Sequence, residues 1–120
     1  METAIKMGLF KEHINKLEEI TGYIHNNIHE QISISLLSEK FGIGKSTLRR
    51  HFSHHYNLSI HGYILNVRMI KAMELVMKHE VHINQIGIMV GYKDLSSFTR
   101  AFSKFYKNPP LFYSRSINHN

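Results

Sequence analysis

One pattern returns in this chain at a nearly fixed distance, and it limits the fold more than any other feature. Ile34, Leu37, Phe41 and Gly42 recur forty-nine positions later as Ile83, Ile86, Val90 and Gly91. Past the glycines the offset is fifty, and Leu48, Arg50 and Phe52 match Phe98, Arg100 and Phe102. Apolar residues three and four apart mark one face of a helix, and glycine closes a helix because it tolerates the left-handed conformation there. Each copy therefore reads as a short helix, a glycine turn and a second helix that carries an arginine. The second turn is one residue longer. With 120 residues, the chain has room for one domain, or for two very small ones sharing a helix.

The segments around the repeat are helical too. Phe10, Ile14, Leu17, Ile20, Ile24 and Ile28 form one stripe, predicting a helix from Phe10 to Asn27. Ser33 is a good N-cap for a helix from Ile34 to Phe41, and Gly42-Ile43-Gly44 breaks it before a third helix through Ser46, Leu48 and Phe52. Asn57-Leu58-Ser59 is turn chemistry, with Ser59 capping a long helix to about His79. Its apolar face is expected from Ile60, Tyr63, Ile64, Val67, Ile70, Met73, Leu75, Val76 and Met77. At 1.5 Å per residue that helix is roughly 30 Å long. A fifth helix spans Ile83 to Val90, Asp94 caps a sixth, and Pro109-Pro110 opens a short last one. The expectation is an all-α fold of about seven helices, with two helix-turn-helix subdomains joined by a long central helix. Residues 1–57 hold the first helix and first unit, 58–80 the linker helix, and 81–120 the second unit with the last helix.

Charge narrows the function. Residues 1–30 hold three bases and five acids, a net of −2, whereas residues 31–120 hold twelve bases and four acids, a net of +8. Such asymmetry, at a sequence pI near 9.7, points to a polyanionic partner; a basic, well-solvated surface is the plain alternative. The absence of cysteine excludes disulfide scaffolds, thiol catalysis and cysteine-based zinc sites, and suits a reducing compartment. No run of eighteen apolar residues occurs, so no membrane helix is expected. The start of the chain has neither the apolar stretch nor the cleavage site of a signal peptide.

A helix-turn-helix binds DNA by laying its second helix in the major groove. In the first unit Leu48 and Phe52 point inward. Lys45, Ser46, Arg49 and Arg50 then face out, with Thr47 beside them. In the second, Phe98 and Phe102 point inward and leave Leu95, Ser96, Thr99, Arg100 and Lys104 outward. Arginine forks onto guanine O6 and N7, while serine and threonine suit phosphates or several bases. Two solvated amphipathic helices in an ordinary bundle would show the same periodicity, but not the matched Arg50 and Arg100.

With these residues in view, the chain resembles the AraC/XylS family of bacterial transcription regulators over about residues 15–115. The most specific stretch is Ile83–Tyr113, where Ile83, Ile86-Gly87, Gly91-Tyr92, Ser96, Phe98, Phe102, Pro110 and Tyr113 follow the family's order. Upstream, Leu37, Gly42, Leu48, Phe52, Tyr63 and Arg68 fall where the family has similar residues. In size the chain is similar to the stand-alone MarA/SoxS type, and a start at Met1 favours a full-length protein. The resemblance implies a double-stranded DNA partner, a monomer on an asymmetric site, recruitment of RNA polymerase at a promoter, as an activator or with repression as the other outcome, and a place at the nucleoid in the bacterial cytoplasm. It implies no cofactor.

The departures carry expectations of their own. Gly87 stands where the family has alanine, at a cost of about 1 kcal/mol in helix propensity. Lys107 replaces a glycine, so the sixth helix should close differently. Arg115 follows Tyr113 one place late. Leu95 and Ser96 replace longer polar side chains, which shifts the second unit toward phosphate contact. His51 takes an apolar position and is expected to be partly buried.

Other chemistry finds less support. His25 with His29, and His51 with His55, are spaced i,i+4, but zinc needs three or four ligands and neither pair has a third. No serine, histidine or carboxylate sits in an activating arrangement, so no enzymatic activity is expected. The six methionines, Met69, Met73 and Met77 among them, read as core filler. Single-stranded RNA binding would need exposed stacking aromatics, and here the aromatics fall on apolar faces. The alternative of a different class is a protein-interaction adaptor of the transcription machinery, presenting Glu12, Glu18 and Glu19.

Overall fold

Ser33 and Gly42 bracket the eight-residue helix as the spacing predicts. The Ser33 hydroxyl accepts the Leu36 N–H at 3.1 Å, and Gly42 adopts φ 63° and returns its N–H to the Ser38 carbonyl. The computed structural model describes residues 2–118, with side chains described from Ile14 to Ser114. The side chains of Phe10, Glu12 and Arg115 lie outside the described residues. Seven helices follow in chain order: α1 (Glu2–Asn26), α2 (Ile34–Phe41), α3 (Lys45–Tyr56), α4 (Ile60–Lys78), α5 (Ile83–Met89), α6 (Leu95–Tyr106) and α7 (Pro110–Asn118). No strand occurs among the described residues.

The chain divides into two units. The first takes the chain through Asn27 together with Ile32–Ile64; the second takes Ile28–Gln31 and the chain from Leu65 onward. In the first, α1, α2 and α3 pack on one another and bury Leu17, Ile20, Ile24, Leu37, Leu48 and Phe52. Ile43, in the middle of the glycine turn, is also buried. Its N–H and carbonyl are both bonded to Ser38, so the turn is tied down by backbone and side chain together. In the second unit Met69, Ala72, Leu75 and Val76 of α4 meet Ile86, Val90, Phe98 and Phe102.

The face of α4 differs from the expected one. Ile70 is 58% and Met77 46% exposed. Met69 and Ala72, absent from the expected stripe, are fully buried. At 100° per residue, positions 65, 69, 72 and 76 share a line, and Ile70 and Met77 fall more than about 100° around the helix from it. The methionines split for the same reason: Met69 is buried, Met73 is packed against the core, and Met77 and Met89 are exposed. They are not uniformly core filler.

Two family departures have a structural explanation. A Cβ on Gly87 would lie 2.9 Å from Phe98 Cβ, so the missing methyl lets α5 approach α6 closely, a use that helix propensity alone does not reveal. The end of α6 does not close differently. Lys107 takes φ 78° and donates its N–H to the Ser103 carbonyl at 2.8 Å, the closure a glycine would provide, at a conformational cost to a residue with a Cβ.

Candidate nucleic-acid interface

The second helix of each unit is held by a buried pair one turn apart, Leu48 with Phe52 and Phe98 with Phe102. That pair sets which side chains turn outward. On α3, Lys45, Ser46, Arg49 and Arg50 are exposed, whereas Thr47 is half-buried. On α6, Leu95, Ser96, Arg100 and Lys104 are exposed and Thr99 is half-buried. His51 is half-buried. Neither helix contains a carboxylate. None of its bases is held by one at ion-pair distance among the described residues, where the pairs are His29–Glu30 and Lys71–Glu74. Three bases on α3 and two on α6 thus stand outside direct ion pairs, with Arg100 feeling the Asp94 carboxylate only at longer range, an arrangement suited to a phosphate backbone.

The start of each second helix is fixed by different means. Gly44 precedes α3 without a side-chain cap. Asp94 caps α6, its Oδ1 accepting the Ser97 N–H at 2.7 Å. That bond, helped by Lys93 and Arg100, holds the Asp94 carboxyl below its ordinary range.

Each unit also has a groove beside its second helix, at places the repeat makes equivalent. In the first, Ser33, Arg49, Ser53, Ser59 and His61 line about 380 Å³. In the second, His82, Ile83, Leu95, Thr99, Pro109 and Leu111 line about 550 Å³. The offsets of forty-nine and fifty map Ser33 onto His82, Arg49 onto Thr99, Ser59 onto Pro109 and His61 onto Leu111. Isoleucines line both grooves, Ile32, Ile34, Ile60 and Ile64 in the first and Ile83 and Ile86 in the second; the first adds a guanidinium and three serine hydroxyls, the second Leu95, Pro109 and Leu111.

The sequence reading gave Arg68 no structural role. Its Nη2 donates to the Glu30 carbonyl at 3.0 Å, and its guanidinium lies 5.5 Å from the Tyr92 ring centre. Its Nε is buried without a partner among the described residues. Burial lowers the guanidinium pKa, and arginine stays charged regardless. Beside it Gln31 Nε2 donates to the Gly91 carbonyl. Arg68 thus locks residues 28–31 to the turn that aims α6. An arginine between Val67 and Met69 in an apolar helix was the available signal.

The histidines are spread out. His25 Nε2 meets the Tyr63 hydroxyl at 3.0 Å, and no three metal-ligating side chains converge among the described residues. Glu18 and Glu19 of α1 are exposed.

Comparison with known proteins agrees with this fold. A family model described as a helix-turn-helix domain matches residues 37–116. The Msm operon regulatory protein of Streptococcus mutans is 28% identical over 110 residues, covering 92% of this chain and 38% of that protein. The chain therefore spans well under half the length of that relative. The C-terminal domain of the two-component response regulator yesN from Fusobacterium nucleatum superposes with a TM-score of 0.78 at 30% identity, over 83% of this chain and 98% of that one. The DNA-binding domain of AdpA, solved in complex with a target DNA, shares the fold at a TM-score of 0.78 and 16% identity, over 83% of this chain and 90% of that one.

Proposed function

The chain belongs to the AraC/XylS-type helix-turn-helix regulators, and from that premise we propose that it binds double-stranded DNA sequence-specifically through α3 and α6, each entering a major groove. The observation that carries this reading is the pair of carboxylate-free second helices whose bases are exposed and outside direct ion pairs. Lys45, Ser46, Thr47, Arg49 and Arg50 contact DNA from the first unit; Leu95, Ser96, Thr99, Arg100 and Lys104 contact it from the second. AdpA, similar in fold, was solved on its target DNA, which supports the same mode here.

The two helices differ in sequence, so the site is asymmetric and one chain occupies it. In this reading α3 and α6 enter successive major grooves, one turn of B-DNA or about 34 Å apart. In this reading the chain works as a monomer at the nucleoid of the bacterial cytoplasm, recruits RNA polymerase, and acts by binding alone, without catalysis or cofactor. The test is binding to duplexes selected from a random pool across a salt series. A slope of about −0.9 in log affinity per neutralised phosphate, 1:1 stoichiometry, and loss of two-point binding when about five base pairs split the site are expected. A flat salt response refutes the electrostatic contact, and 2:1 binding on a palindrome refutes the monomer.

A further inference from the structure

The two second helices present different chemistry at equivalent places. Lys45 and Arg49 form the leading stripe of α3, and at the offset of fifty Leu95 and Thr99 form the leading stripe of α6. Leu95 is the first residue of its helix and is 47% exposed. Thr99 follows one turn later on the same side, and both line the apolar groove of the second unit. An exposed leucine by itself is ordinary. This one lies at the end of the helix that meets base edges in a helix-turn-helix, next to the exposed Ser96 and Arg100.

We propose that Leu95 and Thr99 select thymine by contact with its 5-methyl group, so that the second unit reads its half of the site by apolar contact where the first uses charge. The inference rests on the DNA-binding reading above. In the major groove only thymine presents a methyl, while cytosine, adenine and guanine present donors and acceptors at the edge. A leucine set against those edges removes their water and gives no hydrogen bond back, which disfavours them. Set against a methyl, it buries apolar surface on both sides. Thr99 adds a second methyl one turn along, and the Ser96–Arg100 stripe supplies the polar contacts that Leu95 cannot. The proposal adds base selection at one or two thymines to the phosphate contact expected of α6.

The experiment uses the full chain and the duplex it selects from a random pool. Each thymine is replaced in turn by deoxyuridine, which removes the methyl and leaves the pairing unchanged. One or two positions should lose about fourfold in affinity, the effect of one buried methyl group. In Leu95→Ala, or in Thr99→Ser where that side chain makes the contact, the thymine–uracil difference should vanish at that position while the salt dependence stays. Uniform tolerance of uracil overturns the proposal, as does a difference that persists in both variants; the apolar groove would then be free for a protein partner. A chain that selects no duplex sequence refutes the DNA-binding reading itself, whereas selection without a uracil effect refutes only this inference.

Discussion

Gly42 and Gly91 occupy the same place in the two repeats, and an alanine at each should separate two reasons for glycine. Gly42 sits at φ 63°, and a Cβ there would meet nothing within 4 Å. Its replacement costs only the left-handed conformation, about 1–2 kcal/mol, partly offset by the lower entropy of the unfolded chain. Gly91 sits at φ 101°, and its Cβ would lie 2.5 Å from the Ile28 carbonyl oxygen and 2.7 Å from Arg68 Nη2. Backbone strain of about 1–3 kcal/mol then adds to overpacking of about 1–3 kcal/mol. The Arg68 side chain can swing aside only by giving up its bond to the Glu30 carbonyl, and the Ile28 carbonyl, being backbone, cannot move without the chain around it. Gly91→Ala should therefore lose about 2 kcal/mol more than Gly42→Ala by the same strain and overpacking magnitudes. Because the chain has two units, a single melting curve is a poor readout. Urea-dependent amide exchange at Leu48 and at Phe98 reports each core directly. Equal losses in the two variants, or a Gly91→Ala loss that appears at Leu48 and spares Phe98, would refute the argument.

Lys107→Gly should stabilise the second unit by about 1 kcal/mol, the left-handed penalty less some backbone entropy, seen as slower amide exchange at Phe98 with Leu48 unchanged. The depressed pKa of Asp94 means its cap is fully effective above the ordinary carboxylate range near 3.9 and fades as pH falls through the lower folded value. Amide exchange at Ser97 should therefore accelerate only below about pH 4, and Asp94→Asn should abolish that step. On DNA, Arg50→Ala should cost about 1–3 kcal/mol and relax preference at one base, measured by selection on randomised sites. Arg100→Ala should weaken binding more evenly across sequences. Unchanged preference in Arg50→Ala would refute direct readout by that residue.

The repeat made the helices, their caps and their inward pairs legible, because short-range periodicity and capping decide those. Ser33, Gly42, Ser59 and Asp94 act where local chemistry predicts. What stayed hidden depends on which neighbours arrive. The exposure of Ile70 and Met77 follows from the direction in which the second core meets α4, and periodicity leaves that direction open by a full residue step. Gly87 reads as a weak helix former until Phe98 is placed against it. Lys107 reads as a broken rule until its φ is known. Arg68 joins partners thirty-eight and twenty-four positions away along the chain, a relation that no local spacing encodes. Lys45, Ser46, Arg49 and Arg50 of α3 and Leu95, Ser96, Arg100 and Lys104 of α6 were legible as outward from the position of their buried partners. Thr99, by contrast, is half-buried, and the exposed Ser53, His54 and His55 were not singled out for DNA contact. Exposure alone does not assign each a role on DNA.

The repeat separates what the two second helices must share from what they need not. Each copy must keep its inward pair and its turn, since those maintain a core that either unit needs to fold. The outward stripe carries no such burden, because Lys45 and Leu95 contribute nothing to the buried clusters. Substitutions there change recognition at little cost in stability, so the stripes are free to diverge to a guanidinium–ammonium pair on one helix and a leucine–threonine pair on the other. The two kinds of contact also answer differently to salt. Charge contacts weaken as counterions accumulate, whereas apolar contact depends on area removed from water. A single chain with one stripe of each kind thus keeps part of its discrimination when ionic strength removes part of its affinity. A symmetric pair of charged stripes would lose both together.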